Sequence, residues 1–187
     1  MPIIIIRHGE TQENKNRIIQ GHQPGQLTET GRRQVRDLSL KLRKYGRFDQ
    51  IISSDLERAK ETADLISKEM PPCKVVHEEQ LRERCYGHLE GKPVYQLKRL
   101  LVENKRDLRA LRIPDGERYG DFERRITDVY RRLIADKPDQ NTIVVTHAGV
   151  MQVILVKILG RTWCDIGNCE GFRLSFTANR GAEVHSL

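Results

Sequence analysis

Hydrophobic positions along this chain follow two rhythms. Ile3-Ile4-Ile5-Ile6 is an unbroken β-branched run, the pattern of a strand buried on both faces. Phe48 to Ser53, centred on Ile51 and Ile52, reads as a second short strand, followed by Lys74 to His77 and Thr142 to Thr146. Elsewhere the period lengthens to that of a helix. Val35, Leu38, Leu42 and Tyr45 mark a helix over 28–45, with Thr28 as its N-cap. Leu56, Ala59, Ala63 and Ile66 share one face of a helix over 55–70, which Pro71-Pro72 stops. Lys92 to Arg112 reads as a basic helix or helix pair, and Pro114-Asp115-Gly116 as a turn. Glu117 to Asp136 is expected as a long helix, and Val150 to Leu159 as another. Phe172 to Thr177 and Ala182 to His185 form two last strands, joined by the hairpin signal Asn179-Arg180-Gly181.

Strands alternating with helices predict an α/β fold. The expected architecture is a three-layer α/β/α sandwich around a mostly parallel sheet, with a small basic helical cap inserted at about 91–114. The 187 residues contain no linker, repeat or low-complexity tract, so 1–187 reads as one domain.

Polar clusters follow three of the strands. Arg7-His8 ends the first, Ser53-Ser54-Asp55 with Arg58 one turn on ends the second, and Thr146-His147 ends the strand over 142–146. In open α/β sheets, ligands bind beyond the carboxyl ends of the strands. Two histidines and two arginines are thus expected at one edge of the sheet. Taken singly, each reads as a loop polar residue or a solvated helix face. Together they suit phosphoryl transfer, which needs an in-line nucleophile and positive charge around three equatorial oxygens. A neutral imidazole supplies the lone pair, and guanidinium forks bind phosphate oxygens bidentately.

The same residues carry a resemblance. Arg7-His8-Gly9-Glu10-Thr11 resembles the RHG[ET/ES] signature of the histidine phosphatase superfamily, in its phosphoglycerate-mutase-like branch. Asn14, Gln20-Gly21, the stretch Leu27 to Gly31 and Ser53 to Ala59 with Thr62-Ala63 follow in the family's order. So do Leu81-Arg82-Glu83, Tyr86-Gly87, Glu90-Gly91, Pro114 to Glu117, Val145 to Val150 and Asn168-Cys169. The resemblance implies that His8 is the phosphorylated nucleophile and that Arg7, Arg58 and His147 form the phosphate pocket. It implies further donors in Asn14 and the Ala148 N–H, and substrate contacts near Gln20 and Gly21. Glu83 would be the acid for the leaving alcohol and then the base for water, which calls for a partly desolvated carboxyl or a phosphate charge beside it. Glu117 would either brace a pocket arginine or histidine, or serve as a plain helix-start acid. Thr146 and Ala148 replace the family's usual Ser and Gly, and Arg118 stands where Ser is common.

Phosphatase and mutase share this chemistry and differ in the acceptor. The short span between Gly91 and Pro114, and a last strand that runs to the chain end, favour water. The form Glu83-Arg84-Cys85-Tyr86-Gly87 resembles the mutases, where Arg84 and Tyr86 would touch a carboxylated substrate. The preferred reading is a phosphomonoester phosphatase on a small phosphorylated metabolite, with a 2,3-bisphosphoglycerate-dependent mutase as the alternative.

Net charge is +7, which favours anionic partners and admits a third reading, a non-catalytic polyanion binder. Aromatics make up only 5% of the chain, and Tyr95 alone lies among the cap cations Lys92, Lys98, Arg99, Lys105, Arg106, Arg109 and Arg112, so nucleic acid is not expected. Cys73, Cys85, Cys164 and Cys169 include no CxxC pair, so neither a zinc site nor a disulfide is expected, and the setting reads as cytoplasmic. No apolar run nears the roughly 18 residues of a membrane span, and the Ile3 to Ile6 run is too short for a leader. No cofactor is expected, and a homo-oligomer stays open.

Overall fold

The computed structural model describes residues 3–105, 107–135, 140–176 and 182–187. Its strands are β1 (Ile3–Arg7), β2 (Gln50–Ser53), β3 (Lys74–His77), β4 (Thr142–Thr146), β5 (Gly171–Phe176) and β6 (Ala182–Ser186). Its helices are α1 (Gln12–Asn16), α2 (Glu29–Leu42), α3 (Glu57–Glu69), α4 (Val94–Glu103), α5 (Tyr119–Ala135) and α6 (Ala148–Gln152). The strands form one sheet in the order β3-β2-β4-β1-β5-β6. β3, β2, β4 and β1 are mutually parallel, and β5 runs antiparallel to both β1 and β6.

The isoleucine run at the start of the chain shows why this is a three-layer fold. Successive strand side chains point to opposite faces. Ile4 and Ile6 pack with Val35, Leu38 and Leu42 of α2 and Ala59, Ala63 and Ile66 of α3. Ile3 and Ile5 pack with Phe122, Ile126 and Val129 of α5 and with Val150 and Ile154. Each wholly buried isoleucine contributes about 1.5–3 kcal/mol. A polar residue at any of them would face one core or the other.

Helix ends follow local chemistry. The Thr28 hydroxyl accepts the Gly31 N–H at 2.9 Å and starts α2. The predicted extension to Tyr45 is a single 3₁₀ turn, Arg43–Tyr45, closed by Gly46 at φ 88. Three differences from the sequence pattern stand out. The cap helix α4 is shorter than 92–112: Pro93 sits at its N-cap, and Asn104 and the left-handed Lys105 (φ 52) end it. α5 begins at Tyr119 because the Arg118 carbonyl takes the Asp121 and Phe122 N–H groups, leaving Glu117 in the preceding loop. The helix expected from Val150 begins at Ala148 and continues beyond α6 as a π-helical stretch, Val153–Ile158.

The cap has a small core of its own, with Ile19, Leu89, Leu111 and Ile113 packed against Val94, Leu97, Leu100 and Leu101. Arg106, Asp136, Thr177 and the hairpin signal Asn179-Arg180-Gly181 lie outside the described residues. Among the described residues, no helix is long and apolar enough to cross a membrane.

Candidate active site

β2, β4 and β1 are neighbours in the sheet, so their carboxyl ends deliver Ser54, His147 and Arg7-His8 side by side. Arg7, His8, Asn14, Arg58, Glu83 and Ala148 line part of a cavity of about 260 Å³. Ile18, Ile19, Tyr86, Val94 and Leu97 also line it. A larger cavity, about 660 Å³, runs along β5 past Leu155, Phe172 and Leu187, but none of His8, His147, Arg58 and Glu83 lines it. Of the residues expected at the site, His8, Arg7, Arg58 and Glu83 thus gather at the smaller one.

His8 is only 3% exposed. Its Nδ1 lies 2.8 Å from the Gly9 carbonyl oxygen. That oxygen can only accept, so Nδ1 carries the proton and Nε2 of the neutral ring keeps its lone pair. Burial, then the charges of Arg58 and Arg7, hold the His8 pKa well below its ordinary 6.5. At pH 7 the ring is uncharged and nucleophilic.

The main chain around His8 is fixed from several directions. Its N–H donates to the Thr146 carbonyl at 3.0 Å, and the Gly9 N–H donates to Thr62 Oγ1 at 3.1 Å. Asn168 Nδ2 donates to the His8 carbonyl at 3.1 Å, and the Cys169 N–H reaches the Arg7 carbonyl at 3.2 Å. The first turn of α2 presses on this loop so closely that a Cβ on Gly31 would lie 2.2 Å from the Glu10 carbonyl oxygen.

Around His8 stand buried donors. Arg58, 1% exposed, spends Nη1 on the Gln23 carbonyl (3.0 Å) and Nη2 on the Gly21 carbonyl (2.8 Å). Arg7 spends Nη1 on the Ile166 carbonyl (2.7 Å). Burial lowers both guanidinium pKa values, Arg58 to about 10, so both remain cationic at pH 7. The His147 ring lies 5.2 Å from that of His8 at 59°. Its Nε2 is 2.9 Å from Ser54 Oγ, which also accepts the Leu56 N–H. Donation of the Ser54 hydroxyl proton to Nε2 leaves Nδ1 as the N–H, and we assign that tautomer. Burial, then Arg58, keeps this ring neutral as well, with its pKa well below 6.5.

Arg7 Nε, Arg58 Nε and His147 Nδ1 are all buried without a partner among the described residues. A buried unsatisfied donor costs about 1–3 kcal/mol.

Glu83 faces this group from the loop after β3. Its Oε1 accepts the Arg84 N–H at 2.8 Å, and its Oε2 accepts the Gly149 N–H at 3.0 Å. Arg125, on α5, grips the same loop through the carbonyls of Gln80 (2.8 Å), Arg82 (3.0 Å) and Glu83 (3.4 Å). Glu117 pairs with Arg125 through Nε (2.9 Å) and Nη2 (2.8 Å). So Glu117 braces an arginine, but one that positions the Glu83 loop and does not line the pocket. His22 Nε2 donates to the Glu83 carbonyl at 2.8 Å. Sequence reasoning missed Arg125 and His22: one sits in a helix crowded with arginines, the other in a polar loop.

Asn14 belongs to a capping box with Thr11 at the start of α1. Its Oδ1 accepts the Thr11 N–H (3.2 Å) and Asn168 Nδ2 (3.0 Å), which leaves its NH₂ group for the cavity. Gln20 and Gly21 also line the cavity, with Gln20 Nε2 on Thr11 Oγ1 (2.8 Å) and the Gly21 carbonyl on Arg58. Thr146 ties β4 to the acid loop by donating to the Leu81 carbonyl (2.9 Å). Arg118 is exposed in a separate surface hollow with Arg109 and Arg112.

Arg84, expected to touch a substrate carboxylate, lies behind the cavity wall with its Nη2 buried and unpartnered among the described residues. It is 2% exposed, donates Nε to the Glu117 carbonyl at 3.0 Å and lies over the rings of Tyr86 (5.6 Å) and Tyr119 (5.5 Å). It does not line the cavity. The hydrophobic period could not reveal this, because a charged residue in a charged loop reads as exposed. Tyr86 does line the cavity, and burial raises its phenol pKa so that it stays protonated.

Comparison with known proteins agrees with this geometry. Residues 3–184 match the family model of the histidine phosphatase superfamily, branch 1. The chain belongs to that superfamily. It is 32% identical over 155 residues to the Phosphoglycerate mutase-like protein 4 of Arabidopsis thaliana, covering 80% of this chain and 67% of that one. It is 32% identical over 165 residues to the Adenosylcobalamin/alpha-ribazole phosphatase of Escherichia coli K12, covering 86% and 80%. The solved structure of a putative alpha-ribazole-5'-P phosphatase from Escherichia coli superposes with a TM-score of 0.83 at 28% identity, covering 100% of this chain and 96% of that one.

Proposed function

We propose that this member of the superfamily is a phosphomonoester phosphatase that passes the phosphoryl group of a small phosphorylated metabolite first to His8 and then to water. The observation that carries the reading is the His8 ring itself, neutral, with Nδ1–H tied to Gly9 and Nε2 free, among buried arginine and histidine donors without partners.

In the first step His8 Nε2 attacks phosphorus, the N–P bond forms and the bond to the ester oxygen breaks. Glu83 gives its proton to the leaving alkoxide. Arg7, Arg58, His147 Nδ1–H, the Asn14 amide and the Ala148 N–H receive the equatorial oxygens, where charge builds up. In the second step the Glu83 carboxylate takes a proton from water as that water attacks phosphorus. The N–P bond breaks, releasing inorganic phosphate and neutral His8. The cations are placed where other phosphotransferases put a divalent ion, which supports a metal-independent mechanism.

Phosphatase names among the relatives support water as the acceptor. The mutase alternative needs Arg84 at a substrate carboxylate, and Arg84 packs behind the Tyr86 ring, outside the cavity wall. A polyanion binder has no use for a buried, neutral nucleophile. One sheet carrying both large cores supports reading 1–187 as a single domain. Free thiols at all four cysteines support a reducing, cytoplasmic setting.

The test is His8→Ala, assayed with p-nitrophenyl phosphate, beside quenched wild-type enzyme after reaction with a radiolabelled phosphoryl ester. A loss of about 10³-fold or more in turnover, with an acid-labile label on the wild type that the variant lacks, is expected. Undiminished turnover, or no labelled chain, would overturn the mechanism.

A further inference from the structure

The cap turns its charge away from the cavity and its apolar side toward it. Val94 and Leu97, one helical turn apart on α4, line the cavity with Ile18, Ile19 and the Tyr86 ring. The described cap cations Lys92, Lys98, Arg99, Lys105, Arg109 and Arg112 are all exposed, and none lines the cavity. Three are engaged elsewhere, Arg99 with Glu103 at 3.2 Å, Arg109 with Glu123 at 2.7 Å and Arg112 with the Arg109 carbonyl. Among the described residues, the arginines of the cavity wall are Arg7 and Arg58, both at the phosphoryl position.

Building on the phosphatase reading, we propose that this site selects monophosphate esters of small, uncharged alcohols that present an apolar or aromatic face, and discriminates against esters with a second anionic group. A carboxylate or second phosphate set against Val94 and Leu97 would lose hydration and find no cation in return. An apolar ring in the same place gives up water that it is better without. Tyr86 adds an aromatic face and, with its phenol protonated, no charge. The cavity of about 260 Å³ lies just under the roughly 300–1,000 Å³ of pockets that hold drug-sized ligands. The alcohol is therefore a short chain or a single ring. Val94, Leu97 and Tyr86 become the residues that set specificity.

The experiment compares kcat/KM for phenyl phosphate with that for 3-phosphoglycerate and 2,3-bisphosphoglycerate, in the wild type and in Leu97→Arg. The wild type should prefer phenyl phosphate by about tenfold or more, and the variant should cut that preference by about tenfold by supplying the missing cation. Inhibition of the wild type by phenylphosphonate and by 2-carboxyethylphosphonate gives a second measure should Leu97→Arg not fold, and phenylphosphonate should bind about tenfold more tightly. Equal or better turnover of the doubly charged esters, equal inhibition by the two phosphonates, or an unmoved preference in folded Leu97→Arg would overturn this proposal while leaving the phosphatase reading intact. Failure to hydrolyse any ester would overturn both.

Discussion

Gly149 and Glu83 occupy each other's space: a Cβ on Gly149 would lie 2.2 Å from Glu83 Oε1, while the Gly149 N–H holds Oε2 at 3.0 Å. The glycine is what lets the carboxyl stand at the cavity wall with His8. Gly149→Ala should push the acid aside without touching His8 or the arginines. Because general acids contribute about 10²–10⁴-fold, kcat/KM on phenyl phosphate, which reports the ester-cleaving step alone, should fall by about 10²-fold. The loss should be smaller on p-nitrophenyl phosphate, whose leaving group needs less protonation. Equal losses on the two esters would remove Glu83 from the acid's role.

The clasp behind Glu83 makes a second prediction. Arg125 and Glu117 are 16% and 18% exposed, and the arginine holds three carbonyls of the acid loop. Arg125→Ala leaves Glu117 unpaired and should cost about 2–3 kcal/mol, less than the roughly 3–5 of a wholly buried pair. It should also lower kcat more than it raises KM, since the loop that drifts carries the acid and not the phosphate cradle. Urea unfolding and steady-state kinetics on one preparation check both.

Stability should depend on pH through the paired imidazoles. Burial and the neighbouring arginines hold His8 and His147 well below 6.5 in the folded chain, whereas the unfolded chain titrates near 6.5. As pH falls from 7 through 6.5, the unfolded state takes up protons that the folded state refuses. Folding stability present above 6.5 is therefore lost on acidification, by about 1.4 kcal/mol per pH unit for each ring. Urea unfolding at pH 7, 6 and 5 should show the fall, and His8→Gln should reduce its slope by about half. A slope unchanged by His8→Gln would count against the neutral, buried nucleophile.

Turnover should be indifferent to chelators. Arg7 and Arg58 stay cationic at pH 7 and line the cavity beside His8, where the proposed mechanism gathers the equatorial oxygens. Dialysis against excess EDTA should leave the rate of p-nitrophenyl phosphate hydrolysis unchanged, and added magnesium should not raise it. A rate lost to EDTA and restored by magnesium would argue for a bound ion.

How far the sequence discloses the fold depends on what each residue answers to. Ile3 to Ile6 read correctly because burial on both faces needs an unbroken apolar run, and both cores use it. The helix expected over 28–45 read correctly as far as Leu42 because Thr28 and the spacing of Val35, Leu38 and Leu42 are local signals. α1 escaped notice because five polar residues carry no period, and its capping box only shows once Thr11 and Asn14 meet. Arg84 and Arg125 are long-range cases. Apart from the Glu117 carboxylate, their partners are carbonyls and rings brought near by the tertiary fold, and no spacing along the chain announces a carbonyl. Of the expected site residues, all but Arg84 and the deeper-lying His147 line the cavity, and His147 stands beside His8 behind it.

The first strand lies between β4 and β5, and the loop that follows it is clamped by Asn168 and Cys169. A ribosome thus releases the nucleophile early and its supports last. A nascent chain without β4, β5 and the Asn168 clamp holds His8 on an unpaired strand, exposed to water and with nothing to fix the direction of its ring. Competence should arrive in one late event during synthesis, and fragments cut short of residue 169 should be inert however well their helices form.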